Sequence, residues 1–204
     1  MKHILVTALL LAAPPAVAAP RTETAVLAGG CFWGMESVFE HVKGVTDVVS
    51  GYAGGSAKDA HYEAAGSGHA EAVRITFDPR QISYAQLLQV YFAVAHDPTQ
   101  VNRQGPDEGP SYRSAVFPQT AGQESQAKSF IAKLSSAHVF KKPIATRVEH
   151  GGFFPAEDYH QDYARKHPWE PYIVINDRPK VDALKRQYPS LFRGEAGKSL
   201  RFHL

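Results

Sequence analysis

Cys31 is the residue with the greatest chemical potential, because it is the sole cysteine among 204 residues. A lone thiol is buried and inert, paired with another molecule, or kept for its reactivity. It follows Gly29 and Gly30, at the junction between two patterns. Residues 24–28 read as a buried strand, and Phe32, Met35, Val38, Phe39 and Val42 recur at helical spacing. A cysteine at that junction lies in or near the first helical turn. There the unpaired N–H groups and the positive end of the helix dipole favour an anion, so the reading predicts a lowered thiol pKa. The glycines permit a sharp turn and the close approach of a substrate. Phe32 and Trp33 can wall an apolar pocket beside the sulfur. On this signal alone, a small core cysteine is an equally good reading.

Glu71 is the second unusual residue. Residues 71–77 alternate, with Glu71 on the face of Val73, Ile75 and Phe77, and Arg74 and Thr76 opposite. A carboxyl at the end of an apolar face is poorly solvated, which raises its pKa and makes it a proton donor at neutral pH. A water-exposed strand end is the equal alternative. Tyr62, Tyr112 and Asp107 lie in or beside polar loops. The tyrosines can donate hydrogen bonds to an oxygen, but no spacing singles out any of the three. The ten histidines raise the question of a metal. His150, His160 and His167 lie close together with Asp158 and Asp162, yet no His-x3-His pair with a placed Glu occurs and one cysteine makes no thiolate site. The expectation is scattered surface histidines, no metal and no cofactor.

The elements that must position these groups alternate between strand and helix. Further strands are predicted at residues 45–52, 71–77, 112–117 and 144–148. Ser83-x-x-Gln86 and Thr120-x-x-Gln123 are helix-start signals, a polar loop spans residues 96–111, and further helices are expected at 156–166 and 180–187. The uneven alternation predicts an α+β fold, a sheet with helices packed on it. Residues 193–204 read as weakly structured.

The N-terminus carries the three parts of an export signal in order. Lys2 supplies the positive region, residues 4–13 the apolar core, and Ala16-Val17-Ala18 a small-x-small cleavage site. Residues 1–18 are thus expected to be removed, leaving 19–204 as one catalytic domain in the periplasm or outside the cell. No cysteine at the cleavage site offers a lipid anchor. With 22 basic and 20 acidic residues and no basic run, nothing suggests a nucleic-acid partner.

Several stretches together carry a resemblance. Gly30-Cys31-Phe32-Trp33-Gly34, Gly51-Tyr52-Ala53-Gly54-Gly55, Gly68-His69-Ala70-Glu71-Ala72-Val73, His96-Asp97-Pro98, Tyr112-Arg113-Ser114 and Phe154-Pro155-Ala156-Glu157-Asp158-Tyr159-His160-Gln161 resemble the A-type methionine sulfoxide reductases, in that family's order. The resemblance implies a ferredoxin-like two-layer sandwich with a mixed or antiparallel sheet. It implies Cys31 as nucleophile, Glu71 as acid, and Tyr112, Asp107 and Tyr62 as further catalytic residues. Phe32, Trp33 and Gly30 would bind the substrate. The segment from Tyr62 to Glu71 is shorter than in the family, and the resolving cysteine of many members has no counterpart. The reaction implied is reduction of methionine S-sulfoxide, free or in proteins, through a Cys31 sulfenic acid. An external thiol, such as a thioredoxin-like protein, would then restore the cysteine. The alternatives are another thiol-based peroxide-reducing enzyme, or a non-catalytic binding module with a lone thiol.

Overall fold

A computed structural model describes residues 22–61 and 68–194. The export signal, Tyr62 and the last ten residues lie outside the described residues.

Six strands form one mixed sheet: β1 (Glu23–Gly29), β2 (Val45–Ala53), β3 (Ala70–Phe77), β6 (Ser114–Phe117), β7 (Arg147–Val148) and β8 (Phe153–Pro155), in the order β7-β6-β1-β3-β2-β8. The four central strands pair antiparallel with one another, β7 adds a parallel edge beside β6, and β8 pairs antiparallel with β2. Helix α1 (Phe32–Glu40) connects β1 to β2, and α2 (Tyr84–Val90) lies between β3 and β6. The order β6-β1-β3-β2 with those two helices is the ferredoxin-like split βαβ arrangement, as expected.

Alternation along the strands divides the interior. Ala25, Leu27, Val73, Ile75 and Phe77 face the main core, with Met35, Val38 and Phe39 of α1 and Leu87 and Leu88 of α2. Each large apolar side chain removed from water there is worth about 1.5–3 kcal/mol. Val26, Ala28, Ala70, Ala72, Ala115 and Phe117 form a smaller cluster on the other face. Glu71 shares the register of Val73, so it points into the helix side, as the alternation predicts.

Both helix-start signals are realised. The Ser83 hydroxyl accepts from Gln86 N–H and the Gln86 side chain accepts from Ser83 N–H, while Thr120 accepts from Gln123 N–H at the head of α3 (Ala121–Ser136). Several boundaries differ from the reading. The polar loop contains a short hairpin, β4 (Arg103–Gln104) with β5 (Asp107–Glu108). Residues 156–166 do not form one helix: a 3₁₀ turn at Asp158–His160 precedes Asp162 at φ 57° and the single turn α4 (Tyr163–Lys166). Gln161 explains the break. Its side-chain amide bonds the N–H and C=O of Ser50 at 3.0 and 2.9 Å, extending the β2 edge beyond β8. A π-helical turn, Ile173–Asp177, leads into α5 (Arg178–Gln187), which packs on α1. No helix among the described residues is long and apolar enough to cross a membrane.

Candidate active site

The end of β1 is held by a buried polar network. Tyr91 Oη donates to Ala28 C=O at 2.7 Å and meets Ser114 Oγ at 2.9 Å; His96 Nε2 meets the same Oγ at 2.7 Å. His96 is fully enclosed, and burial pulls its pKa down to about 4, so it is a neutral structural group. Beyond this anchor the chain turns at Gly30, with φ 87°. A Cβ there would lie 2.5 Å from Gln104 Cβ and Cγ. Gln104 therefore fills the side of Gly30 that a Cβ would take, and it is itself bonded to the backbone of Asp97 at 3.1 Å through both ends of its amide.

Cys31 is the N-cap residue of α1 and is only 7% exposed. Glu71, 6% exposed, reaches the same helix start from β3, and its Oε2 accepts the Phe32 N–H at 3.0 Å. Burial pushes the Glu71 carboxyl up to about 8 against the lowering effect of that hydrogen bond, and Asp107 raises it further. Glu71 is thus a buried carboxylic acid at neutral pH, not a water-exposed strand end. The expectation for the thiol is overturned. Burial first, then the charges of Glu71 and Asp177, raise the Cys31 pKa well above its ordinary value, and the Trp33 N–H opposes them only in part. Desolvation and three nearby carboxyls outweigh one helix terminus.

The two aromatics after Cys31 diverge. Phe32 is fully buried against Tyr52 and His160, with centroids 5.8 and 4.9 Å away. Trp33 is half-buried, stacks on Tyr163 at 3.8 Å and meets Tyr172 edge-on at 5.9 Å. Its Nε1–H donates to His160 Nδ1 at 3.2 Å. Tyr52 Oη donates to Glu157 at 2.9 Å. Asp107, in β5, accepts the Tyr172 hydroxyl and is not the freely solvated aspartate that its loop suggests. Tyr112 ends a 3₁₀ turn, Pro110–Tyr112, that packs against β3 and the β4–β5 hairpin.

Sequence reasoning missed Tyr172, Tyr163, His160 and Asp177, all brought in by the chain beyond β8. The only signal for His160 was its motif. His69, His96 and His160 are buried, so the histidines are not uniformly a surface set. Glu36, Glu40 and Asp162 form the one acidic cluster among the described residues with spacing suited to a cation. Burial, the Glu36 charge and a hydrogen bond to Asp162 raise Glu40 to about 9, so a shared proton already relieves the repulsion.

A thiol beside a protonated carboxyl, under an aromatic wall, is an arrangement suited to attack on a polarised atom whose leaving oxygen needs a proton. A sequence model described as peptide methionine sulfoxide reductase matches residues 23–191. The chain belongs to the peptide methionine sulfoxide reductase family. It is similar to peptide methionine sulfoxide reductase MsrA 2 of Mesorhizobium japonicum, 54% identical over 179 residues, covering 86% of this chain and 92% of the relative. It is also similar to MsrA of Deinococcus radiodurans, 47% identical over 175 residues and 84% of each chain. Among solved structures, Mxr1 of Saccharomyces cerevisiae in reduced form aligns with a TM-score of 0.64 and 30% identity over 72% of this chain and 87% of that one. Methionine sulfoxide reductase A of Corynebacterium diphtheriae aligns at 0.63 and 32%, over 76% and 82%.

Proposed function

We propose that this peptide-methionine (S)-S-oxide reductase works through a one-cysteine cycle on exported proteins. The carrying observation is the pairing of Cys31 at the head of α1 with the neutral Glu71 carboxyl bonded to the next N–H. A sulfoxide has positive sulfur and negative oxygen. The Cys31 thiolate attacks the sulfur while Glu71 gives the oxygen a proton, and Tyr112, with Tyr62, steadies that oxygen by hydrogen bonds. Phe32 and Trp33 line the space for the methyl group, and Asp107 holds the Tyr172 hydroxyl beside them. The sulfoxide oxygen, carrying the Glu71 proton, ends as the hydroxyl of Cys31 sulfenic acid and the thioether leaves; the proton that the thiol gave up to solvent is balanced by the one that Glu71 takes back.

With no second cysteine in the chain, an external thiol must attack the sulfenic sulfur and expel water. A second thiol then releases Cys31. A thioredoxin-like protein supplies both. The signal pattern of residues 1–18 supports export to the periplasm or beyond, and cleavage after Ala18 predicts a mature chain beginning at Ala19. N-terminal sequencing of protein recovered outside the cytoplasm checks this, and an uncut Met1 would refute it.

Methionine release from each sulfoxide epimer, with excess dithiothreitol, tests the chemistry. Release from the S epimer alone, abolished in Cys31→Ser, is expected. A folded protein that releases methionine from neither epimer would sink the reading.

A further inference from the structure

The strand β6 alternates across the sheet. Ser114 and Val116 face the helices, where Ser114 meets Tyr91 and His96, while Ala115 and Phe117 belong to the cluster on the opposite face. By the same alternation Arg113 lies behind the sheet. A Cβ at Gly54 would indeed lie 3.1 Å from both Arg113 Nη2 and Phe117 Cε1. Tyr112 lies in front, packed against the core that holds Cys31. The Arg113 side chain is 9% exposed and directs its fork at three partners. Nε and Nη2 donate to the Glu149 carboxylate at 3.1 and 2.9 Å, Nη1 donates to Pro110 C=O at 3.0 Å, and Nη2 donates to Gly68 C=O at 3.0 Å. Glu149 is fixed in turn, because its N–H donates to Val116 C=O at 2.9 Å beside the β6–β7 pairing. The two carbonyls belong to segments outside the strand ladders, since pairing on β3 begins at Ala70 and on β6 at Ser114. Pro110 opens the turn that ends at Tyr112, and Gly68 stands three residues before Glu71. A buried guanidinium is costly without its carboxylate, and this one has Glu149. Its planar fork holds both carbonyls at a fixed separation, which an ammonium on a flexible stem does not.

We propose that Arg113 is a positioning residue: from behind the sheet, and oriented by Glu149, it fixes the Tyr112 turn against the start of the strand that carries Glu71. The inference rests on the proposed reading of the site, in which Tyr112 holds the sulfoxide oxygen and Glu71 protonates it. A hydrogen bond that strengthens as charge grows on that oxygen needs its donor placed in advance. A donor displaced by about 1 Å costs roughly a hundredfold in rate. Arg113 itself lies on the face away from Cys31 and acts only through the segments it holds.

The rate of methionine formation in a single turnover, and the S-sulfoxide concentration that half-saturates it, are measured for the full mature chain, Arg113→Lys, Tyr112→Phe and the double variant. Thermal melting checks folding. Arg113→Lys is expected to lower the rate by roughly ten- to a hundredfold with little change in half-saturation. In the Tyr112→Phe background the same change is expected to cost less than about threefold, because the donor it positions is already gone. A brace of the fold alone would lower the melting temperature and reduce the rate by one factor in both backgrounds. An equal loss in both backgrounds, or the natural rate in either single variant, would overturn the proposal. Should Arg113→Lys fail to fold, Glu149→Gln, which keeps the side-chain shape and loses the charge, is read in the same two backgrounds. A natural chain that turns over beside an equally active Arg113→Lys defeats this inference alone; a natural chain without turnover defeats the reading of the site beneath it.

Discussion

Burial leaves both Cys31 and Glu71 uncharged near neutral pH, and this pairing shapes the expected rate profile. The reactive form carries a thiolate and a protonated Glu71. Its population climbs about tenfold per pH unit up to about 8 and then levels, because each gain in thiolate is matched by a loss of acid. A plot of kcat/KM against pH should therefore bend near 8. In Glu71→Gln that bend should vanish, and kcat/KM should fall by roughly a hundred- to ten-thousandfold. A profile that bends near 8 in the variant as well would show that another group is the acid. At this scale the sequence was half legible. Motif and alternation marked Cys31 and Glu71, but the direction of the thiol shift was misread. A helix terminus can be read from residue types; the carboxyls of β3, β5 and the π-helical turn converge only in space.

The elements act as holders. The helix α1 presents Cys31 because the network of Tyr91, His96 and Ser114 fixes the end of β1, while Asp177 and Lys180 brace Gly34. Gly34→Ala should force α5 away from α1. A loss of about 1–3 kcal/mol in denaturant unfolding is expected, with a drop in turnover. Unchanged stability would mean that Asp177 can move aside freely. By contrast, Ser83→Ala removes a cap far from the sulfur in sequence and should cost about 1 kcal/mol while leaving kcat/KM as it was. The capping signals at Ser83 and Thr120 were readable because a cap is a local contact. The broken run from 156 to 166 was not, because Gln161 leaves helical geometry to bond Ser50, 111 residues away.

Across the whole molecule, the raised carboxyls set how stability depends on pH. Glu40 is raised to about 9, mainly by burial and the Glu36 charge, and Glu71 to about 8. A carboxyl raised above its unfolded value binds its proton more tightly in the folded chain. Its contribution is fully present below about 4.5 and is lost as pH rises through the folded values. The chain should therefore resist urea better near about pH 6 than near about pH 9.5, and Glu40→Gln should flatten the difference. An equal midpoint at both values would contradict the protonated state of this cluster.

Residue patterns alone determined the α+β class, the strand bearing Glu71 toward the core, the helix behind Cys31 and the family. Each of these rests on periodicity, caps or short motifs, which are local in the chain. The tertiary structure decided strand order, the neutral thiol, the packing of Gln104 on Gly30 and the entry of Tyr163, Tyr172 and Asp177 into the site. Those depend on groups far apart in sequence meeting in a dry interior, where burial and neighbouring charge together outweigh the bias of any single turn.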